Sequence, residues 1–182
     1  MQQIINNALT DKNTGHTYLE TYEMLFGRLQ TSASRVMEIG IYDGGSIALW
    51  ADYFVNATVY GLDIAPLRPK ASFLKNNPRV VLSTNIDAYS TATLNSLSDT
   101  VFDVIVDDGP HTLQSMITCV SEYSKLLSDK GILVVEDIQE FGWIDRLKAA
   151  VPDNLKRYIQ VYDLRKNKGQ YDDVLFVINK GI

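Results

Sequence analysis

The chain of 182 residues is 46% hydrophobic and 21% charged, proportions of a globular domain with a full core rather than of a disordered or fibrous chain. Twenty-two acidic residues against 17 Lys and Arg give a formal net charge of −5, which excludes the broadly basic surface of a general nucleic-acid or anionic-membrane binder. A single cysteine, Cys119, excludes a disulfide framework and a thiolate zinc cluster; with no membrane-length apolar run and no signal-peptide start, a cytoplasmic protein is expected.

Residues 17–29 read as a helix ahead of the first strand. Short Val- and Ile-rich runs follow: RVMEIG (35–40), ATVYGLD (57–63), RVVLS (79–83), FDVIVDD (102–108) and GILVVED (131–137). Longer amphipathic stretches separate them, the clearest being 111–127, where Leu113, Met116, Ile117, Val120 and Leu127 recur at helical spacing. Strand–helix alternation of this kind builds a parallel sheet with helices on both faces. The end of the chain breaks the alternation: YIQVYDLR (158–165) and YDDVLFVINK (171–180), joined by KNKGQ, predict a hairpin that adds an antiparallel strand. The fold class is therefore α/β: a doubly wound, seven-stranded, mostly parallel sheet with a C-terminal antiparallel hairpin. No linker or repeat divides residues 1–182, so one domain is expected.

In such sheets ligands bind beyond the carboxyl ends of the strands. The first strand runs into Glu38-Ile39-Gly40-Ile41-Tyr42-Asp43-Gly44-Gly45-Ser46, where glycines allow a tight turn and close approach of a ligand. A dinucleotide fingerprint would put its middle glycine at position 42, where this chain carries Tyr42, an awkward neighbour for a pyrophosphate. Glu38 suits a positive amine or sulfonium, and Asp63, at the end of the second strand, suits the two hydroxyls of a ribose. S-adenosylmethionine (SAM), with a ribose and no phosphate, meets both conditions; the bland alternative is a plain strand-to-helix turn. Asp87 lies where an adenine contact could fall, or caps a helix.

With these residues the chain resembles the class I SAM-dependent methyltransferases over nearly its whole length. The resemblance implies cofactor contacts from Tyr18, Glu38, Gly40, Gly44, Ser46, Asp63, Ile64, Asp87 and Asp107. It also implies that the single domain 1–182 begins with a helical segment, 1–30, that covers the cofactor pocket.

The fourth strand ends Asp107-Asp108-Gly109-Pro110-His111 and the fifth ends Glu136-Asp137. On neighbouring strands, about 4.8 Å apart, these carboxylates would repel one another unless protonated or neutralised by a cation. An all-oxygen set favours Mg²⁺, Mn²⁺ or Ca²⁺ over zinc. Asp108, Glu136 and Asp137 are the expected metal ligands, unless the acids simply cap the following helices. His111, three residues beyond Asp108, is the candidate general base, or else an ordinary histidine near a helix start.

The motifs DDGPH and VVEDI resemble those of the metal-dependent O-methyltransferases of macrolide and other natural-product sugars, and of cephalosporin hydroxylase-like proteins. The resemblance implies Mg²⁺ (or Mn²⁺) on Asp108, Glu136 and Asp137, with His111 as base. LTDKNTGHTYLETYEMLF (9–26) resembles the family's N-terminal stretch, which draws attention to His16, Tyr18 and Tyr22; tyrosines four apart on a helix also arise from packing alone. The expected reaction is methyl transfer from SAM to a hydroxyl of a small molecule, with no nucleic acid or membrane partner and with room for a homo-oligomer. A nicotinamide-dependent oxidoreductase, a non-catalytic SAM-binding subunit and a nucleic-acid methyltransferase are the competing classes. Phe141 and Trp143 offer an acceptor wall, or belong to the core.

Overall fold

A computed structural model describes all residues, Met1–Ile182. Seven strands, β1 (Arg35–Ile39), β2 (Thr58–Asp63), β3 (Val80–Thr84), β4 (Phe102–Asp107), β5 (Leu127–Val135), β6 (Ile159–Asp163) and β7 (Val174–Asn179), form one sheet in the order β3-β2-β1-β4-β5-β7-β6. The first five strands are mutually parallel, and β7 runs antiparallel to both β5 and β6. The doubly wound sheet and its inverted end are as the sequence predicts. Chain order reverses between β1 and β4, which places the crevice for a ligand there.

The helices are α1 (Tyr18–Phe26), α2 (Gly45–Tyr53), α3 (Thr91–Leu97), α4 (Leu113–Glu122), α5 (Trp143–Ala150) and the short α6 (Arg165–Lys168). Against the expected helical segment 1–30, residues 1–17 form turns only; helix begins at Tyr18 and ends in a 3-10 turn at Gly27–Leu29. The expected helix 111–127 is shorter than the periodicity suggested, because a reciprocal capping box between Thr112 and Ser115 starts it after His111. KNKGQ, read as a plain hairpin turn, carries most of α6, which Gly169 closes in the left-handed region at φ +79°. No helix is long and apolar enough to cross a membrane.

Strand alternation divides the core in two. Val36, Val104, Val106, Ile132 and Val134 pack toward α1 and α2, with Tyr22, Phe26, Trp50 and Phe54 forming an aromatic layer there. Met37, Ile39, Ile105, Leu133 and Val135 pack against Met116, Cys119 and Val120 of α4 and Ile144 and Leu147 of α5. Carried to the carboxyl ends, the same alternation decides which acids meet. Glu38, Asp108 and Glu136 follow Val36, Val106 and Val134 onto the α1–α2 face, whereas Asp107 follows Ile105 toward α4. The ladder extends one residue past the strands, Asp108 N donating to the Ile39 carbonyl at 2.9 Å and Glu136 N to that of Asp107 at 3.0 Å. The acids are thereby held level with one another.

Candidate active site

The turn after β1 depends on glycine at Gly40. Its φ is +99°, and a Cβ there would run into the Asp108 carbonyl oxygen, so only glycine lets the two loops lie so close. Asp63 holds the same turn: its Oδ2 accepts from the backbone N–H groups of Ile41 (2.9 Å) and Tyr42 (3.2 Å), and its Oδ1 from that of Ala65 (2.8 Å). Four residues other than glycine have positive φ: Tyr42, Asn85, His111 and Asp137. They follow β1, β3, β4 and β5 respectively, so the strained backbone of this chain is gathered on one rim.

Two cavities open on that rim. The larger, about 560 Å³, lies between the N-terminal turns (Asn7 to Asp11, and Thr14), the β1 turn and Ser46, and the side chains of Asp108, His111 and Asp137. The smaller, about 330 Å³ and more apolar, is lined by Leu62, Asp63, Ile64, Asp87, Ala88, Tyr89 and Pro110 among others. Gly40, Tyr42, Asp108 and Gly109 line both, so the cavities adjoin at the turn after β1. Asp87 accepts from the backbone N–H of Tyr89 (2.9 Å), and the cap of α3 is Ser90; the helix-cap alternative for Asp87 is thus excluded.

Of the expected cofactor contacts, Gly40, Ser46, Asp63, Ile64 and Asp87 line one or other cavity. Gly44 takes φ +85° at the start of α2, with its α-carbon packed toward Ala71 and Leu74. The other three expected contacts, Glu38, Tyr18 and Asp107, line neither cavity. Glu38 is fully buried; its Oε2 accepts from the Trp50 indole N–H (3.0 Å), and its positive neighbour is Lys12. Tyr18 is likewise buried, donating its hydroxyl to Asp137. Asp107 points to the α4 side, where it accepts from the Tyr89 hydroxyl (2.5 Å), and burial pushes its carboxyl up to about 6.

The acids of β4 and β5 gather in two overlapping sets. Asp108, His111 and Asp137 bring one ligand atom each within 4.8 Å of one another, as do Glu38, Asp108 and Glu136. His111 Nε2 stands 3.6 Å from Asp108 Oδ1 and 3.6 Å from Asp137 Oδ2. Into the second set reaches the ammonium of Lys12, 2.7 Å from Asp108 Oδ2, 2.6 and 2.8 Å from the two Glu136 oxygens, and 3.2 Å from Glu38 Oε1. The metal ligands expected from sequence are therefore divided: Asp108 and Asp137 face His111 and the larger cavity, while Glu136 faces Lys12 and accepts from the Tyr22 hydroxyl.

The electrostatics follow from this crowding. Burial and the neighbouring Asp108 and Asp137 hold the Glu136 carboxyl well above its ordinary range in spite of Lys12. Burial takes Glu38 up to about 7, and burial with Asp108 raises Asp137. Desolvation works to lower the Lys12 ammonium, yet Asp108, Glu136 and Glu38 outweigh it and hold the pKa well above the usual lysine value. Lys12 is the only ammonium among these carboxylates, so the cluster is short of positive charge. Its oxygen-rich donors fit a hard divalent cation at the Asp108–Asp137 edge.

Sequence reasoning named the acids but missed their partners. Lys12, Trp50, Tyr89 and Asp173 carried no site assignment. Asp173 is fully buried beside β7, and its Oδ1 lies 2.5 Å from His16 Nδ1. His16 in turn stacks on Tyr18 and lies 3.7 Å from Asp137, so its imidazolium is favoured by Asp137 and Asp173 against the cost of burial.

A family model described as a methyltransferase domain matches residues 37–138. Among curated proteins, the 8-demethyl-8-alpha-L-rhamnosyl tetracenomycin-C 2'-O-methyltransferase of Streptomyces olivaceus is 34% identical over 143 residues, covering 74% of this chain and 36% of the relative. The L-olivosyl-oleandolide 3-O-methyltransferase of Streptomyces antibioticus is 29% identical over 135 residues, 70% of this chain and 34% of the relative. The chain thus spans about a third of the length of the curated relatives it matches. Among solved structures, the MycE methyltransferase of mycinamycin biosynthesis, in complex with Mg and SAH, superposes with a TM-score of 0.69 at 21% identity, covering 90% of this chain and 50% of that one. A fibrillarin pre-rRNA processing protein of Methanococcus jannaschii superposes with a TM-score of 0.62 at 16% identity, covering 85% and 70%. The shared fold therefore leaves the acceptor open.

Proposed function

The chain belongs to the methyltransferase domain family, and on that premise we propose that it transfers a methyl group from SAM to a hydroxyl of a small molecule, of the sugar or natural-product type, with a divalent cation at the acidic rim. One observation carries the proposal: the cavity holding Asp108, His111 and Asp137 shares a wall with the cavity holding Asp63 and Asp87. A methyl donor in the second then points across Gly40 at an acceptor in the first. The curated relatives, named as sugar O-methyltransferases, and MycE, solved with Mg and SAH, support the same reading.

In this proposal the smaller cavity takes the adenosine, with Asp63 and Asp87 offering carboxylate oxygens to its polar edges and Ile64 and Ala88 its apolar walls. Ser46 and the β1 turn take the amino-acid end. SAM, when bound, supplies an electrophilic methyl, and a divalent ion supplies a Lewis acid that makes the acceptor hydroxyl more acidic. Asp108 and Asp137 would hold that ion, with Glu136 behind them as the third carboxylate expected from sequence. His111 removes the hydroxyl proton onto Nε2, which stands 3.6 Å from Asp108 Oδ1 and 3.6 Å from Asp137 Oδ2. Tyr18 fixes Asp137 by donating to Oδ1, which leaves Oδ2 turned toward His111. Fixed positions of this kind supply much of the acceleration in a direct displacement.

The experiment is transfer of labelled methyl from SAM to a panel of nucleotide sugars, glycosylated polyketides and RNA, with and without EDTA. Label in a product only when a divalent ion is present supports the proposal. Label on RNA but on none of the small molecules would overturn it.

A further inference from the structure

Three carboxylates on one sheet face converge on a single ammonium that comes from far away in sequence. Lys12 is 1% exposed, and it sits in the N-terminal turns that wall the larger cavity through Asn7 to Asp11 and Thr14. Glu38 Oε1, fully buried and without a hydrogen-bond partner, is aimed at this ammonium from 3.2 Å. Beyond this ion cluster the Lys12 backbone makes local bonds, its carbonyl accepting from Tyr18 N (3.1 Å). The ammonium is thus one of the ties on the N-terminal turns, beside His16 on Asp173 and Lys168 on the Asn13, Thr14 and His16 carbonyls, and the one that ends on the acidic cluster.

Asp108 is shared. Its Oδ2 takes Lys12 at 2.7 Å, and its Oδ1 looks toward His111 and the place of the divalent ion. Two cations drawing on one carboxylate oppose each other, since each lowers the negative potential that holds the other. Glu136, whose two oxygens both face the ammonium, could reach a divalent ion only by giving up part of that contact. We propose that Lys12 is a tethered competitor of the divalent ion, so that ion binding and seating of the N-terminal wall weaken each other. The inference rests on the proposed metal-dependent function. By linkage the effect is reciprocal: the factor by which Lys12 weakens the ion is the factor by which the ion loosens Lys12. Lys12 is a positioning residue in this scheme, acting on the acceptor cavity through Asp108 and the wall.

Mn²⁺ affinity, measured by calorimetry on the intact chain, tests it. Lys12→Met is expected to bind Mn²⁺ about tenfold more tightly than wild type or better, and Lys12→Arg, which keeps the charge, to bind within about threefold of wild type. Equal or weaker binding by Lys12→Met would overturn the inference. Should that variant fail to fold, hydrogen exchange of wild type decides alone: saturating Mn²⁺ should speed exchange of the amides of residues 10–17, and unchanged or slower exchange would overturn the inference. Wild type that binds no Mn²⁺ at all would overturn the metal reading together with the inference. Wild type that binds Mn²⁺ with unaltered N-terminal exchange would overturn the inference only.

Discussion

Lys12 Nζ lies 2.7 Å from Asp108 Oδ2, across 96 residues of sequence. That contact fastens the N-terminal turns to the end of β4, and it gives the acidic rim a positive charge of its own. The remaining carboxylate oxygens of Asp108 and Asp137 face His111, on the side open to the larger cavity.

Asp108→Asn removes the carboxylate common to both sets of acids. Mn²⁺ affinity measured by calorimetry should fall at least ~10-fold, since loss even of a group supporting a metal ligand costs that much. Asp137→Asn should behave alike.

His111→Ala should lower kcat by about 10²–10⁴-fold, the usual contribution of a positioned general base, with little change in KM for SAM. Steady-state kinetics with a responsive acceptor checks this. Folding should suffer little, because His111 stands outside α4 and its side chain is partly exposed.

Gly40→Ala should cost at least ~2 kcal/mol of stability, from the unfavourable φ and the collision with the Asp108 carbonyl. Chemical denaturation measures the loss, and affinity for S-adenosylhomocysteine should fall with it.

Asp103 anchors the opposite end of the sheet. It accepts from Ser34 N (2.8 Å), Arg35 N (3.2 Å) and the Ser128 hydroxyl (2.9 Å), and these bonds outweigh burial to hold its carboxyl below the ordinary 3.8. A depressed folded pKa means that the unfolded chain binds the proton more readily. The stabilisation is therefore complete above the unfolded value and lost as pH falls through the folded one. Asp103→Asn should cost about 1–3 kcal/mol at neutral pH, and its gap from wild type should close as pH drops below about 4. Denaturation curves at several pH values would show it.

What could be read in the sequence was whatever is local. β1 to β5 announce themselves as Val- and Ile-rich runs, and Asp63, Asp108, Glu136 and Asp137 are visible because each stands at the end of such a run. Contacts between distant segments were not visible. Lys12 gains its meaning from Glu38, Asp108 and Glu136, none of which is near it in the chain. Tyr18 and Tyr22 had the spacing of helix packing, and they do pack, but their hydroxyls also end on Asp137 and Glu136. Glu38, read from the sequence as suited to a positive amine or sulfonium, is turned by strand alternation beneath Trp50 and Lys12, a placement that no local pattern shows.

The most direct measurement of the proposed chemistry is a crystal structure with S-adenosylhomocysteine and Mn²⁺, the ion located by its anomalous scattering. The expected result is an ion about 2.1 Å from carboxylate oxygens of Asp108 and Asp137, with the adenosine in the Asp63–Asp87 cavity and the sulfur directed toward His111. An ion bound away from Asp108 and Asp137, or an adenosine outside that cavity, would contradict it.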